Sequence, residues 1–169
     1  MQTNLILGGA RSGKSRRAQL LAENMAKHRI YVATAEGLDA EMLARIDRHR
    51  SDRGLGWKTV ETPLDLVEAI KQSMNHKQVV IVDCLTLWLS NLMHARRDIE
   101  AESEALVQVI LNIKGGIILV SNEVGMGLVP ETTLGRNFRD AQGRLNQKIA
   151  SVCEHVELVV AGLPLTIKG

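Results

Sequence analysis

Residues 3–15 read TNLILGGARSGKS, and that order decides the fold. The strand-like Thr3–Leu7 runs straight into Gly8, Gly9, Ala10, Arg11, Ser12, Gly13, Lys14 and Ser15, the G-x-x-x-x-G-K-S spacing of a phosphate-binding loop. Each residue type has a chemical reason. The glycines let the backbone curl until successive N–H groups point at phosphate oxygens, and Lys14 reaches the β- and γ-phosphates. Ser15 offers a hydroxyl to Mg²⁺, and the helix that follows presents its positive end to the anion. The alternative is an ordinary glycine turn. An apolar strand before it and a helical pattern after it favour the nucleotide site.

The chain has 169 residues, 45% hydrophobic and 24% charged, which suits one domain spanning 1–169 with a substantial core. Aromatic residues make up 2%, so that core must be aliphatic. A net charge of +2 gives no reason to expect nucleic acid or an anionic membrane as a partner. Cys84 and Cys153 have neither metal-ligand spacing nor the look of a disulfide framework, which points to a reducing compartment. No apolar run approaches the roughly 18 residues of a membrane span, and the first strand starts too early to leave room for a signal peptide. A cytoplasmic location is expected.

Outward from the loop, strand and helix patterns alternate. Helices are expected over Ser15–Lys27, Leu38–Arg53, Pro63–Ser73, Cys84–Ala95, Asp98–Ile113 and Leu134–Cys153. Strands are expected at Arg29–Ala33, Trp57–Glu61, Gln78–Val82 and Gly116–Val120, with Val156–Val160 and Leu163–Ile167 as an antiparallel hairpin around Gly162. The runs QVVIV and GIILV are apolar without interruption, as in strands buried on both faces. This alternation predicts an α/β fold, a mostly parallel sheet flanked by helices.

Asp83 ends the Gln78–Val82 strand. In phosphate-loop proteins an acidic residue there holds Mg²⁺, on a strand usually beside the one feeding the loop. Its alternative role is an N-cap for the helix beginning at Leu85. Ser121, Asn122 and Glu123 follow the next buried strand and should face the same crevice, unless they form a plain loop. On a helix, Met42, Ile46, His49 and Arg53 share one stripe, with Arg45, Arg48 and Arg50 nearby. His49 is then either a packed core histidine or a neutral, nucleophilic imidazole among arginines that offer charge to a triphosphate. Gly125, Gly127 and Pro130 shape either a turn or a substrate loop. Arg136, Arg139 and Arg144 read as surface charges, and Trp57 and Trp88 as core.

Longer motifs now narrow the choice. GGARSGKSRRAQ (8–19), YVATAE (31–36), EMLARIDRHRSDR (41–53), VDCLTLWLSNL (82–92), SNEVGMGLVPE (121–131) and GRNFRDAQGRLNQKIA (135–150) occur in that order. With them the chain closely resembles the bifunctional adenosylcobinamide kinase / adenosylcobinamide-phosphate guanylyltransferase family of cobalamin biosynthesis. The resemblance implies a RecA-like P-loop NTPase fold and two reactions. One phosphorylates adenosylcobinamide with ATP or GTP; the other transfers GMP from GTP to that phosphate through a GMP–histidine intermediate, releasing pyrophosphate. His49 matches the family histidine. The implied nucleotide contacts are Gly8 to Ser15, Thr34, Ala35, Glu36, Arg50, Ser51, Asp52, Arg53, Glu61 and Asp83, with Lys14 catalytic and Ser15 and Asp83 on Mg²⁺. The resemblance also implies a homotrimer with a nucleotide site between neighbouring subunits, and later, membrane-associated pathway enzymes as further partners. Two other readings compete: a simple P-loop small-molecule kinase with a structural His49, and a GTP-binding regulatory switch. The switch should carry a guanine-selective N-K-x-D motif, which is absent from the sequence.

Overall fold

Aliphatic runs without polar interruption become the central strands, because only strands covered on both faces bury such runs completely. The computed structural model describes residues 2–35, 54 and 56–169. Seven strands form one sheet: β1 (Gln2–Gly8), β2 (His28–Ala33), β3 (Trp57–Glu61), β4 (Gln78–Asp83), β5 (Gly116–Asn122), β6 (His155–Val160) and β7 (Leu163–Lys168). Their spatial order is β3-β2-β4-β5-β1-β6-β7. All neighbours run parallel except β6 and β7, the expected C-terminal hairpin. Its two-residue turn places Ala161 at φ 52° and Gly162 at φ 82°, the twist that a tight hairpin requires.

The described helices are α1 (Lys14–Met25), α2 (Leu66–Ser73), α3 (Leu85–His94), α4 (Ile99–Leu111) and α5 (Thr133–Val152). Strand alternation sorts the sheet into two faces. Ile6, Tyr31, Ile81, Ile118 and Val120 pack with Ala18 and Ala22 of α1. Leu5, Val32, Val82, Ile117 and Leu119 build the larger core with residues of α2, α3, α4 and α5, among them Ile70, Trp88, Leu106 and Leu145. The expected helix over Leu38–Arg53 lies outside the described residues. The helix expected from Pro63 begins at Leu66 instead, since the Leu64 carbonyl already accepts from the Leu66 amide and from the Trp88 indole.

Trp88 is fully buried, as expected of a core residue, and its indole N–H donates to the Leu64 carbonyl at 2.9 Å. Trp88→Ala should cost about 3–5 kcal/mol, through lost burial and the cavity left behind. A urea midpoint equal to that of the parent would contradict this account of the core. Trp57 is half-buried at the sheet edge, with Tyr31 edge-on at 6.3 Å and the Arg29 guanidinium 5.1 Å above its ring.

One ion pair ties the two sides of β1 together. Arg17 on α1 donates through Nε and Nη2 to both carboxylate oxygens of Glu157 on β6, at 2.8 and 2.7 Å. This bonding holds the Glu157 carboxyl below the usual carboxylate range. A depressed folded-state pKa contributes stability above the unfolded pKa, and that contribution is lost as pH falls through the folded one. Glu157→Gln should therefore lower stability at neutral pH by about 1 kcal/mol and flatten the acid side of the stability curve. Parallel pH profiles for variant and parent would exclude the linkage.

Candidate active site

The loop after β1 has the closed shape its glycines allow. Arg11 and Gly13 take φ 57° and 99°, and the Ser12 amide donates back to the Gly9 carbonyl at 3.3 Å. Gly8 is required by close approach, since a Cβ there would lie 2.7 Å from the Val159 carbonyl oxygen. Gly13 is required by its φ and by the hairpin turn, whose Gly162 Cα would stand 3.2 Å from an added Cβ. The Gly162 amide donates to the Ser12 carbonyl at 2.8 Å, so the last hairpin braces the first loop. Lys14 is buried and its ammonium donates to the Gly9 carbonyl at 2.8 Å, spanning the ring of the loop. Ser15 follows in the first turn of α1.

Gly8, Asp83 and Asn122 all end their strands with the same parity as Ile6, Ile81 and Val120, the residues that pack against α1. They rise on one face, beside the loop and the start of α1. The Tyr31 hydroxyl donates to Oδ2 of Asp83 at 2.7 Å and orients the carboxylate. Two expectations about Asp83 are corrected. It does not cap α3, whose N-cap is Cys84 without a side-chain cap bond. Nor does its strand neighbour the loop strand, because β5 lies between β4 and β1. Strands buried on both faces look alike in sequence, so their lateral order is invisible there. The offset separates the two strands by about 10 Å, still within one phosphate site.

Ser15 and Asp83 are hard oxygen donors suited to Mg²⁺, which binds through one or two carboxylates together with substrate phosphates. Among the described residues no group of three or more His, Cys, Asp or Glu side chains could hold a metal unaided. Two oxygen donors of this kind fit a cation that shares the phosphates of a nucleotide. Burial pushes the neighbouring Cys84 thiol up to about 11, with the Asp83 charge adding to the effect. Cys84 is accordingly a packed thiol and not a nucleophile.

Other expected residues are placed differently. Thr34 is fully buried; its hydroxyl donates to the Cys84 carbonyl at 2.7 Å and accepts from the Cys84 amide at 2.9 Å, clamping the segment after Asp83. Ala35 follows it, partly exposed. Glu61 ends β3, four strands from β1 in the sheet order, about 19 Å at ordinary strand spacing. Glu36, His49, Arg50, Ser51, Asp52 and Arg53 lie outside the described residues. In the chain their segment comes between β2 and β3.

Several contributors were not apparent from the sequence. Tyr31, the lone tyrosine, interrupts an aliphatic strand, which is the signal that could have marked it. Gln142 and Asn146 lie one turn apart on α5 amid its buried stripe, a place where polar residues need partners. Gln142 donates to the Ser121 hydroxyl (2.9 Å) and to Asn146 Oδ1 (3.0 Å), and Ser121 donates to the same Oδ1 (2.7 Å). Beyond β5, both Glu123 carboxylate oxygens accept from the Gly125 amide, and one also accepts from that of Met126. Arg139 donates to the Gly125 carbonyl at 2.6 Å, so it anchors this turn and is not a free surface charge. The turn leaves Met126, Leu128 and Val129 exposed.

Comparison with known proteins agrees with this geometry. Solved structures share the architecture at low identity: a type III secretion system ATPase (TM-score 0.62, 10% identical, covering 98% of this chain and 56% of that one) and the RadB recombinase (TM-score 0.52, 17% identical, covering 93% and 73%). These establish a P-loop NTPase fold of the RecA-like kind. Bifunctional adenosylcobalamin biosynthesis protein CobP of Pseudomonas aeruginosa is 46% identical over 168 residues, covering 98% of this chain and 97% of that protein. Bifunctional adenosylcobalamin biosynthesis protein CobU of Escherichia coli is 40% identical over 179 aligned residues, covering 97% and 98%. The family model described as cobinamide kinase / cobinamide phosphate guanyltransferase matches residues 4–167. The chain belongs to the cobinamide kinase / cobinamide phosphate guanyltransferase family.

Proposed function

We propose that residues 1–169 act as one catalytic domain that performs two transfers in turn. The first moves the γ-phosphoryl group of ATP or GTP to the aminopropanol hydroxyl of adenosylcobinamide. The second moves GMP from GTP to the new phosphate, giving adenosylcobinamide-GDP and pyrophosphate. The observation that carries the reading is the convergence of Lys14, Gly8 and Asp83 on one face at the carboxyl end of the sheet. Phosphoryl transfer asks a protein mainly for positioning and charge stabilisation. The loop amides and the Lys14 ammonium hold the triphosphate tail, and Tyr31 holds the Asp83 carboxylate toward it. Ser15 and Asp83 would hold Mg²⁺, which would supply positive charge to the phosphate oxygens.

Guanylyl transfer is assigned to His49. A neutral imidazole nitrogen attacks the α-phosphorus of GTP; the bond to pyrophosphate breaks and a phosphoramidate forms. The corrinoid phosphate then attacks the same phosphorus and frees the imidazole. Two displacements replace one difficult encounter between anions. The sheet order supports a division of labour, since the loop is on β1 whereas the segment bearing His49 joins β2 to β3. Glu36, Arg50, Ser51, Asp52, Arg53 and Glu61 are assigned to this second centre. A homotrimer is proposed, with neighbouring subunits sharing it. Leu163, Leu165 and Ile167 support assembly, as they alternate onto one face of β7 and stand 57–72% exposed. Incubation with α-labelled and, separately, γ-labelled GTP tests the reading. Acid-labile, alkali-stable protein label from the α position alone is expected. Ordinary corrinoid phosphorylation with no covalent label would leave a simple kinase.

A further inference from the structure

Between β5 and α5 the chain carries an apolar tongue that the phosphate site does not use. Met126 and Leu128 are 81% and 96% exposed, with Val129 and Leu134 open to solvent beside them. The side chains are bare, yet the backbone beneath them is fixed at both ends. At the near end both Glu123 carboxylate oxygens accept from the Gly125 amide, one accepts from Met126, and Arg139 holds the Gly125 carbonyl. At the far end Arg136 donates through Nη1 to the Pro130 and Glu131 carbonyls at 3.2 and 2.7 Å. The Thr132 hydroxyl accepts from the Gly135 amide at 3.1 Å. A Cβ at Gly127 would meet nothing within 4 Å, so the tip is open. Contiguous exposed apolar groups mark an interaction site, and a backbone held in advance lowers the cost of binding there.

The position of the tongue names its occupant. Its root is bonded to the phosphate loop, because the Glu123 amide donates to the Gly8 carbonyl at 3.1 Å. β5, which feeds the tongue, is the sheet neighbour of β1, which feeds the loop, at a spacing of about 5 Å. Loop and tongue therefore leave the same carboxyl edge side by side, where ligands of open α/β sheets bind. The acceptor hydroxyl has to meet the γ-phosphate at that edge. Its corrin macrocycle is too broad to enter between strand ends, so it stays outside, and its methyl-bearing rim needs an apolar surface next to the loop. We propose that Met126, Leu128 and Val129 form that surface, a rest for the corrin ring that leaves the aminopropanol arm directed at the nucleotide. The inference rests on the kinase reading given above, since it takes the corrinoid as acceptor.

The test is equilibrium dialysis of adenosylcobinamide, followed by its visible absorbance, against the full chain and its Leu128→Ser and Met126→Ser variants. Neither side chain is packed in the core, so both variants should melt as the parent does. Burial of one such side chain is worth at least about tenfold in an equilibrium constant, and the corrinoid Kd should rise by that factor in each variant. In kinase assays the corrinoid KM should rise in parallel, while the nucleotide KM stays within about twofold of the parent. Leu111→Ser is the control. It removes another exposed leucine, at the end of α4 just before β5 begins and so at the far end of the sheet, and should bind the corrinoid as the parent does. Parental affinity in the two tongue variants, or an equal loss in Leu111→Ser, overturns the assignment. So does a fall in the sedimentation mass of Leu128→Ser with corrinoid affinity retained, which would make the tongue an interface between copies of this chain. Failure of the parent chain to bind the corrinoid at all would remove the kinase reading, and the role of the tongue with it.

Discussion

Lys14→Ala should reduce kinase turnover by about 10²–10³-fold, the range seen when one preorganised charge-stabilising group is removed. An ammonium is among the groups least often buried, and this one is held inside the loop by the Gly9 carbonyl. That bond keeps the cation where the triphosphate tail must pass, so binding exchanges one acceptor for a stronger, charged one. Alanine removes the cation and leaves the Gly9 carbonyl to solvent, with little effect on the core packed beneath α1. Arginine should not rescue the variant, because its planar fork cannot enter a ring shaped for a compact ammonium. Kinase kcat/KM, with melting temperature as the control for folding, checks both statements. A Lys14→Ala enzyme with parental kinetics would remove the role assigned to the loop.

His49→Ala should abolish covalent labelling from α-labelled GTP and lower guanylyl transfer by at least about 10³-fold, the scale of losing a nucleophile. Kinase turnover should stay within about threefold of the parent. The asymmetry follows from chain path: the loop follows β1, whereas the histidine belongs to the connection between β2 and β3. Separate assays of corrinoid phosphate and corrinoid-GDP decide the matter. Equal loss of both activities would collapse two centres into one.

The two predictions differ in how far the sequence alone could reach. The loop was legible residue by residue, because curling a backbone round a phosphate demands glycine at Gly8 and Gly13 and a lysine at Lys14. The uninterrupted runs of β4 and β5 were legible as strands for the same physical reason that hid their order. A strand buried on both faces carries no polar edge to say which neighbour it takes, so the insertion of β5 between β4 and β1 came only from the fold. Asp83 shows the same limit at the scale of one side chain. Its position at a strand end was readable, but its link to Tyr31 depends on β2 and β4 lying side by side with Tyr31 opposite Ile81. Gln142 and Asn146 were visible only as polar residues in an apolar stripe, and their meaning required Ser121 to be packed beneath them.

The bond from Gly162 to Ser12 links parts of the chain nearly its whole length apart. Trimming or fusing the carboxyl terminus would thus register first as poor nucleotide handling, in a protein whose Walker-type motif was untouched. A defect mapped to the final dozen residues should be traced to the opposite terminus before any separate job is sought for the tail.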